Sequence, residues 1–157
     1  MDFTQMNTTF NNYRRRCLVN FISSMAIFVF VPQIARAVPL KLLAPVKNTV
    51  GSNVIKEGRV KLNMPRLAET GDTVPVHIVI DSPMTNDDHV EKVYIFAEKN
   101  NVPHVLTISM GARNVSAELF TRIRLITSQK VLVVVKMNND TFWSSMAEVE
   151  VTRADCG

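Results

Sequence analysis

Apolar residues fall into two regimes along this chain. Before residue 38 they gather in one run, Phe21-Ile22 and then Met25-Ala26-Ile27-Phe28-Val29-Phe30-Val31, interrupted by Ser23 and Ser24 and stopped by Pro32. After residue 56 they come in short stretches between polar turns, with no convincing run at helical period. These stretches predict strands over 59–67, 74–81, 90–99, 102–110, 115–125, 129–137 and 141–151. Val93, Ile95 and Ala97 alternate with Tyr94, Phe96 and Glu98, whereas the unbroken run 131–135 predicts a strand buried on both faces. Turns are expected at Glu69-Thr70-Gly71-Asp72, at 82–88, at Asn100-Asn101, at 111–114 and at Asn138-Asn139-Asp140. Pro75 belongs near a strand start or at a sheet edge, because it cannot donate to a ladder. Residues 38–56 read as an irregular or short helical lead-in.

About seven short strands at regular spacing predict an all-β fold, an immunoglobulin-like antiparallel β-sandwich over residues 38–151. The cysteine and tryptophan signatures of antibody domains are absent, so this match is to architecture only.

The first 37 residues read as an export signal. Arg14-Arg15-Arg16-Cys17-Leu18 precedes the apolar run, and Ala35-Arg36-Ala37 supplies the small-x-small pattern of signal cleavage, expected between Ala37 and Val38. The long polar start and paired arginines resemble a twin-arginine signal. A retained membrane anchor is the competing reading, but the clean apolar stretch is about half the ~20 residues a spanning helix needs. The expectation is therefore a periplasmic protein with no membrane association after signal removal.

Composition changes this picture little. The chain has 157 residues, 46% hydrophobic and 20% charged, which suits one globular domain. Two cysteines exclude a disulfide-stapled miniprotein. The sequence pI of about 9.3 hints at nucleic acid until the charge is divided. Of 18 Lys and Arg against 14 Asp and Glu, four basic residues and one acidic residue precede residue 38, leaving 14 against 13. A near-neutral body has no electrostatic footprint for phosphate, and nucleic acid is excluded.

The inventory for chemistry is thin. His77, His89 and His104 show no metal-ligand spacing and read as surface or packing residues. Asp87-Asp88 reads as a solvated loop, and Asp81-Ser82 lacks the nucleophile elbow a triad would need. The glycines are isolated, so no phosphate-cradling loop is present. Met64, Met84, Met110, Met137 and Met146 are too dispersed for a copper site and suit packing or loops better. Arg122 and Arg124 share a strand face as a small anion site or, more simply, a solvated surface. No metal or cofactor is expected.

The segment after Val151 differs. Thr152-Arg153-Ala154-Asp155-Cys156-Gly157 carries the one cysteine left after signal removal, beyond any strand. Six residues at ~3.3 Å each reach about 20 Å, enough to place the sulfur in a cleft of another protein. A thiolate is nucleophilic and its sulfur can hold a second sulfur. This suits a carrier with a short flexible tail (152–157) rather than an enzyme.

Several further stretches point the same way: Val74-Pro75-Val76 leading to Asp81-Ser82-Pro83-Met84-Thr85, then Ala97-Glu98-Lys99-Asn100, Thr121-Arg122-Ile123-Arg124-Leu125, Phe142-Trp143, and Val151-Thr152 before the cysteine. In combination they resemble SoxY, the sulfur-carrier family of the bacterial thiosulfate-oxidising Sox system. The resemblance implies an immunoglobulin-like sandwich, twin-arginine export, and a heterodimer with a SoxZ-like subunit. It also implies covalent carriage of thiosulfate-derived intermediates on Cys156, presented to a c-type cytochrome and a hydrolase. The family tail is usually Gly-Gly-Cys-Gly-Gly, whereas Ala154, Asp155 and Gly157 surround the cysteine here. The alternative is an exported, non-catalytic interaction domain that uses Cys156 for an intermolecular disulfide.

Overall fold

The computed structural model describes residues 39–153. Its elements are helix α1 (Leu40–Val50) and strands β1 (Ile55–Glu57), β2 (Val60–Asn63), β3 (Leu67–Thr70), β4 (Val74–Ile80), β5 (Val90–Ala97), β6 (His104–Ser109), β7 (Glu118–Ile123), β8 (Gln129–Met137) and β9 (Phe142–Arg153). The larger sheet runs β1-β9-β8-β5-β6, with β3 also pairing to β9, and the smaller runs β2-β4-β7. The expected all-β sandwich is what the chain forms.

The core lies between the sheets because alternation sends every second residue inward. Val74, Val76, Ile78 and Ile80 of β4 meet Val93, Ile95 and Ala97 of β5 and Val131, Val133 and Val135 of β8. Burying a valine side chain fully contributes about 1.5–3 kcal/mol, so these layers dominate the fold's stability. As the unbroken run 131–135 predicts, β8 is buried on both faces: Leu132 and Val134 point away from the sandwich into a second cluster.

Helix α1 completes that second cluster. Leu42, Val46 and Val50 recur every four residues on one face and pack on Phe96, Leu132, Val134 and Phe142. Gly51 ends the helix at φ 68°, its N–H reaching the Lys47 carbonyl at 2.7 Å. Part of the expected lead-in (40–50) is thus a regular helix covering the outer face of the larger sheet.

Two short strands depart from the expected seven. The predicted strand 59–67 is broken at Met64-Pro65, and its continuation is β3, which includes Glu69 and Thr70. Those two residues are strand rather than turn because β9 offers them a parallel ladder, Leu67↔Glu150 to Thr70↔Arg153. β1 pairs with the start of β9 in the same parallel sense. Pro75 sits in the middle strand of the smaller sheet, but β2 reaches only as far as His77, so at Pro75 the strand has one neighbour.

Among the described residues, no helix is long and apolar enough to cross a membrane. The export signal (1–37), its cleavage point and residues 154–157 lie outside the described residues.

Candidate functional site

The expected site begins where β9 ends. β9 pairs with β8 from Phe142 to Val149 and then runs on alone past the start of β8. Its last residues are held instead by β3 and by one hydroxyl. The Val151 N–H donates to Ser128 Oγ at 2.8 Å, and Ser128 Oγ lies 3.4 Å from the Val151 carbonyl. Thr152 Oγ1 donates to the Glu69 carbonyl at 3.1 Å, and Glu150 N–H to Arg66 O at 2.8 Å. Val149 is fully buried and Val151 nearly so, while Thr152 and Arg153 are exposed. The chain therefore leaves the body at a fixed point, three residues before Cys156.

Ser128 is itself positioned by a polar network. Gln129, the one buried polar side chain among the described residues, accepts from the Lys99 N–H at 2.7 Å. Its amide donates to Asn100 Oδ1 at 2.9 Å and to the Thr127 carbonyl at 3.1 Å. Asn100 in turn donates to the Arg124 carbonyl at 2.9 Å, and Lys99 Nζ to the Ser128 carbonyl at 2.8 Å. Satisfying every buried amide atom this way fixes the loop 124–128 that presents the hydroxyl. Gly71 closes the arrangement: a Cβ there would collide with the Leu125 carbonyl oxygen, and Val151 lies just beyond. Sequence reasoning missed Ser128, Gln129 and Gly71 as parts of the tail's root. The only signal for them is a glutamine opening an otherwise valine-rich strand.

The other candidates are dispersed. His77 Nε2 lies 2.6 Å from Glu118 Oε1 and its ring stacks on Phe120 at 3.9 Å, on the outer face of the smaller sheet. His89 Nδ1 is 2.9 Å from the Thr85 carbonyl, and His104 Nε2 is 2.8 Å from Thr107 Oγ1. Among the described residues, no three His, Cys, Asp or Glu side chains come together as a metal site. Arg122 and Arg124 do not act as a pair: Arg124 is 3.6 Å from Asp72, whereas Arg122 lines a groove with Pro75, His77 and Phe120.

The segment Asp81-Ser82-Pro83-Met84-Thr85 has a structural reason. Met84 turns back at φ 54° to bury its side chain in the core, and Ser82 Oγ accepts its N–H at 3.3 Å. Asp88 closes the loop by binding Arg59 at 2.6 Å, and Thr85 N–H donates to the Asp88 carbonyl at 3.0 Å. This loop follows β4, and the tail's root lies beside its start, so seven residues at ~3.3 Å each separate the two by about 20 Å. On the loop's side of the fold, Glu91 and then Asp140 hold the Lys136 ammonium well above the ordinary lysine value. That cluster ties β5 to the β8–β9 hairpin.

Cys156, Ala154, Asp155 and Gly157, the cleavage residues Ala37 and Val38, and Arg14, Arg15 and Arg16 all lie outside the described residues. What the structure supplies is the anchored root from which residues 154–157 continue.

Comparison with known proteins adds the rest. The family model described as "Sulfur oxidation protein SoxY" matches residues 46–156. Among solved structures, the sulfur carrier protein SoxY from Chlorobium limicola f thiosulfatophilum superposes with a TM-score of 0.60 at 26% identity, over 72% of this chain and 97% of that one. The superoxide reductase (neelaredoxin) from Ignicoccus hospitalis shares the fold with a TM-score of 0.52 at 13% identity, covering 60% of this chain and 80% of its own. The superoxide reductase from Nanoarchaeum equitans does so at 0.51 and 13%, over 61% of this chain and 100% of that one. No curated protein sequence matches.

Proposed function

The chain belongs to the SoxY family of sulfur oxidation proteins, and from that membership we propose that it is a periplasmic sulfur carrier whose attachment point is the Cys156 thiol. The observation that carries the reading is the anchored end of β9: Ser128 and β3 hold the chain up to Arg153, three residues short of the sulfur. A rigid stalk and a short reach let several enzymes meet one thiol without the body moving. The SoxY relative named as a sulfur carrier, matched over nearly its whole length, supports the same assignment.

In this reading the Cys156 thiolate couples with the terminal sulfur of thiosulfate, forming an S–S bond and giving two electrons to a c-type cytochrome partner. Water added by a hydrolase then cleaves the bond between the outer sulfur and the sulfonate, releasing sulfate and leaving a persulfide on Cys156. The protein is substrate and carrier, not catalyst, and needs no cofactor. Export relies on Arg14, Arg15 and Arg16, with cleavage between Ala37 and Val38. A SoxZ-like subunit completes a heterodimer, with residues 38–153 as the body and 154–157 as the carrier tail, two residues shorter than the sequence predicts because β3 pairs with β9 as far as Arg153.

Intact-mass measurement after incubation with thiosulfate and the partner enzymes tests this. Sulfur-bearing adducts on Cys156, absent from a Cys156→Ser variant that still folds, are expected. Unchanged thiosulfate-dependent electron transfer in that variant, or a stable disulfide to another chain as the sole product, overturns the assignment.

A further inference from the structure

A sheet edge invites pairing unless something blunts it. Four of the edges here are blunted. β1 has three residues and β3 four. β2 also has four and runs into Met64-Pro65. β6 follows Pro103 and pairs with β5 through a register shift between Ile95 and Phe96. β7 differs: six residues in unbroken register with β4, no proline, and no other strand partner among the described residues.

The side chains of β7 have a symmetry of their own. Glu118, Phe120 and Arg122 project from the outer face of the smaller sheet, and Phe120 is 70% exposed. If a second β7 runs antiparallel with Phe120 at the centre, Phe120 opposes its counterpart. Glu118 then opposes Arg122 of the second copy, and Arg122 opposes its Glu118. His77 occupies Glu118 Oε1 and leaves Oε2 to accept. Arg122 has no ion pair among the described residues. The strand is thus complementary to itself in both charge and aromatic content, as a two-fold contact requires.

We propose that β7 is the interface for a second copy of this chain, joining two three-stranded sheets into one of six strands about an axis through Phe120. Cross-strand aromatic and opposite-charge pairs are the units that stabilise such a ladder. The stack of His77 on Phe120 holds the central ring upright for the partner ring. The contact closes on itself, leaving no further copy of β7 exposed. It requires no cargo on Cys156.

Sedimentation equilibrium of the purified protein carrying Cys156→Ser, which removes disulfide-linked dimers, tests the proposal. A reversible dimer is expected. Arg122→Glu places like charges opposite each other twice and should raise the dissociation constant about tenfold or more. Adding Glu118→Arg reverses both signs, restores complementarity and should bring dimerisation back. A monomer at every attainable concentration, a dimer indifferent to Arg122→Glu, or a double variant that stays monomeric overturns it. So does an edge that pairs only with a different protein. Circular dichroism of each variant shows that the fold survives.

Discussion

Asp155 puts a carboxylate beside the thiol where the family usually has glycine. When Cys156 carries an anionic sulfur group, two like charges ~4 Å apart repel by about 1 kcal/mol in water and about 4 kcal/mol at an effective dielectric near 20. In the proposed carrier role the penalty therefore grows on going from water to the lower dielectric of an enzyme cleft. Asp155→Gly should speed sulfate release by the hydrolase several-fold at equal loading, measured as sulfate formed per adduct; an unchanged rate would make the charge irrelevant. The root offers a second residue-scale test. Ser128→Ala strips the Val151 N–H of its acceptor, which costs about 1–3 kcal/mol when the donor is left unpaired. A melting temperature lower by several degrees is expected, largely recovered by Ser128→Thr. The proposal for Cys156 comes from sequence, as the thiol expected past the last strand, and Cys156 itself lies outside the described residues. The importance of Ser128 is not legible in sequence, because it depends on β9 outrunning β8, which no local pattern encodes.

At the scale of elements, legibility follows the source of the hydrogen bonds. β4, β5 and β8 carry their own signature, since one or both faces are buried and the alternation or apolar run is written into the strand. β1 and β3 are short, mostly exposed and polar, and exist because β9, over 80 residues away, lends them a ladder. Glu69 and Thr70 consequently look like a turn and form a strand. Helix α1 is obscured differently: Pro45 lies inside it, and its apolar face of Leu42, Val46 and Val50 spans only three positions. Its contribution is testable. Leu42→Ala empties a fully buried position under the helix and should cost about 2–5 kcal/mol, read as a lower denaturation midpoint. Amide exchange should then speed up in α1 and on the outer face of β8. An unchanged midpoint would mean that the helix is dispensable to the sheet.

For the whole molecule, the sandwich was readable from alternation alone, but a fold of this kind hosts unrelated chemistries and does not name its own. The near-neutral body, the dispersed histidines and the structural role of the Asp81–Thr85 segment are the reasons the proposed function is placed at one end, beyond the last strand. β9 connects that end to the rest: β8 and β1 flank it along its body and β3 at its end. In the proposed carrier role, an enzyme pulling on the chain beyond Arg153 would apply force along the axis of this strand. The ladders on it are then loaded in shear, many hydrogen bonds sharing the strain at once instead of opening one after another. The end of β9 is thus built like a rope spliced into the middle of a cable, so that a pull on it is shared out without unravelling the sheet.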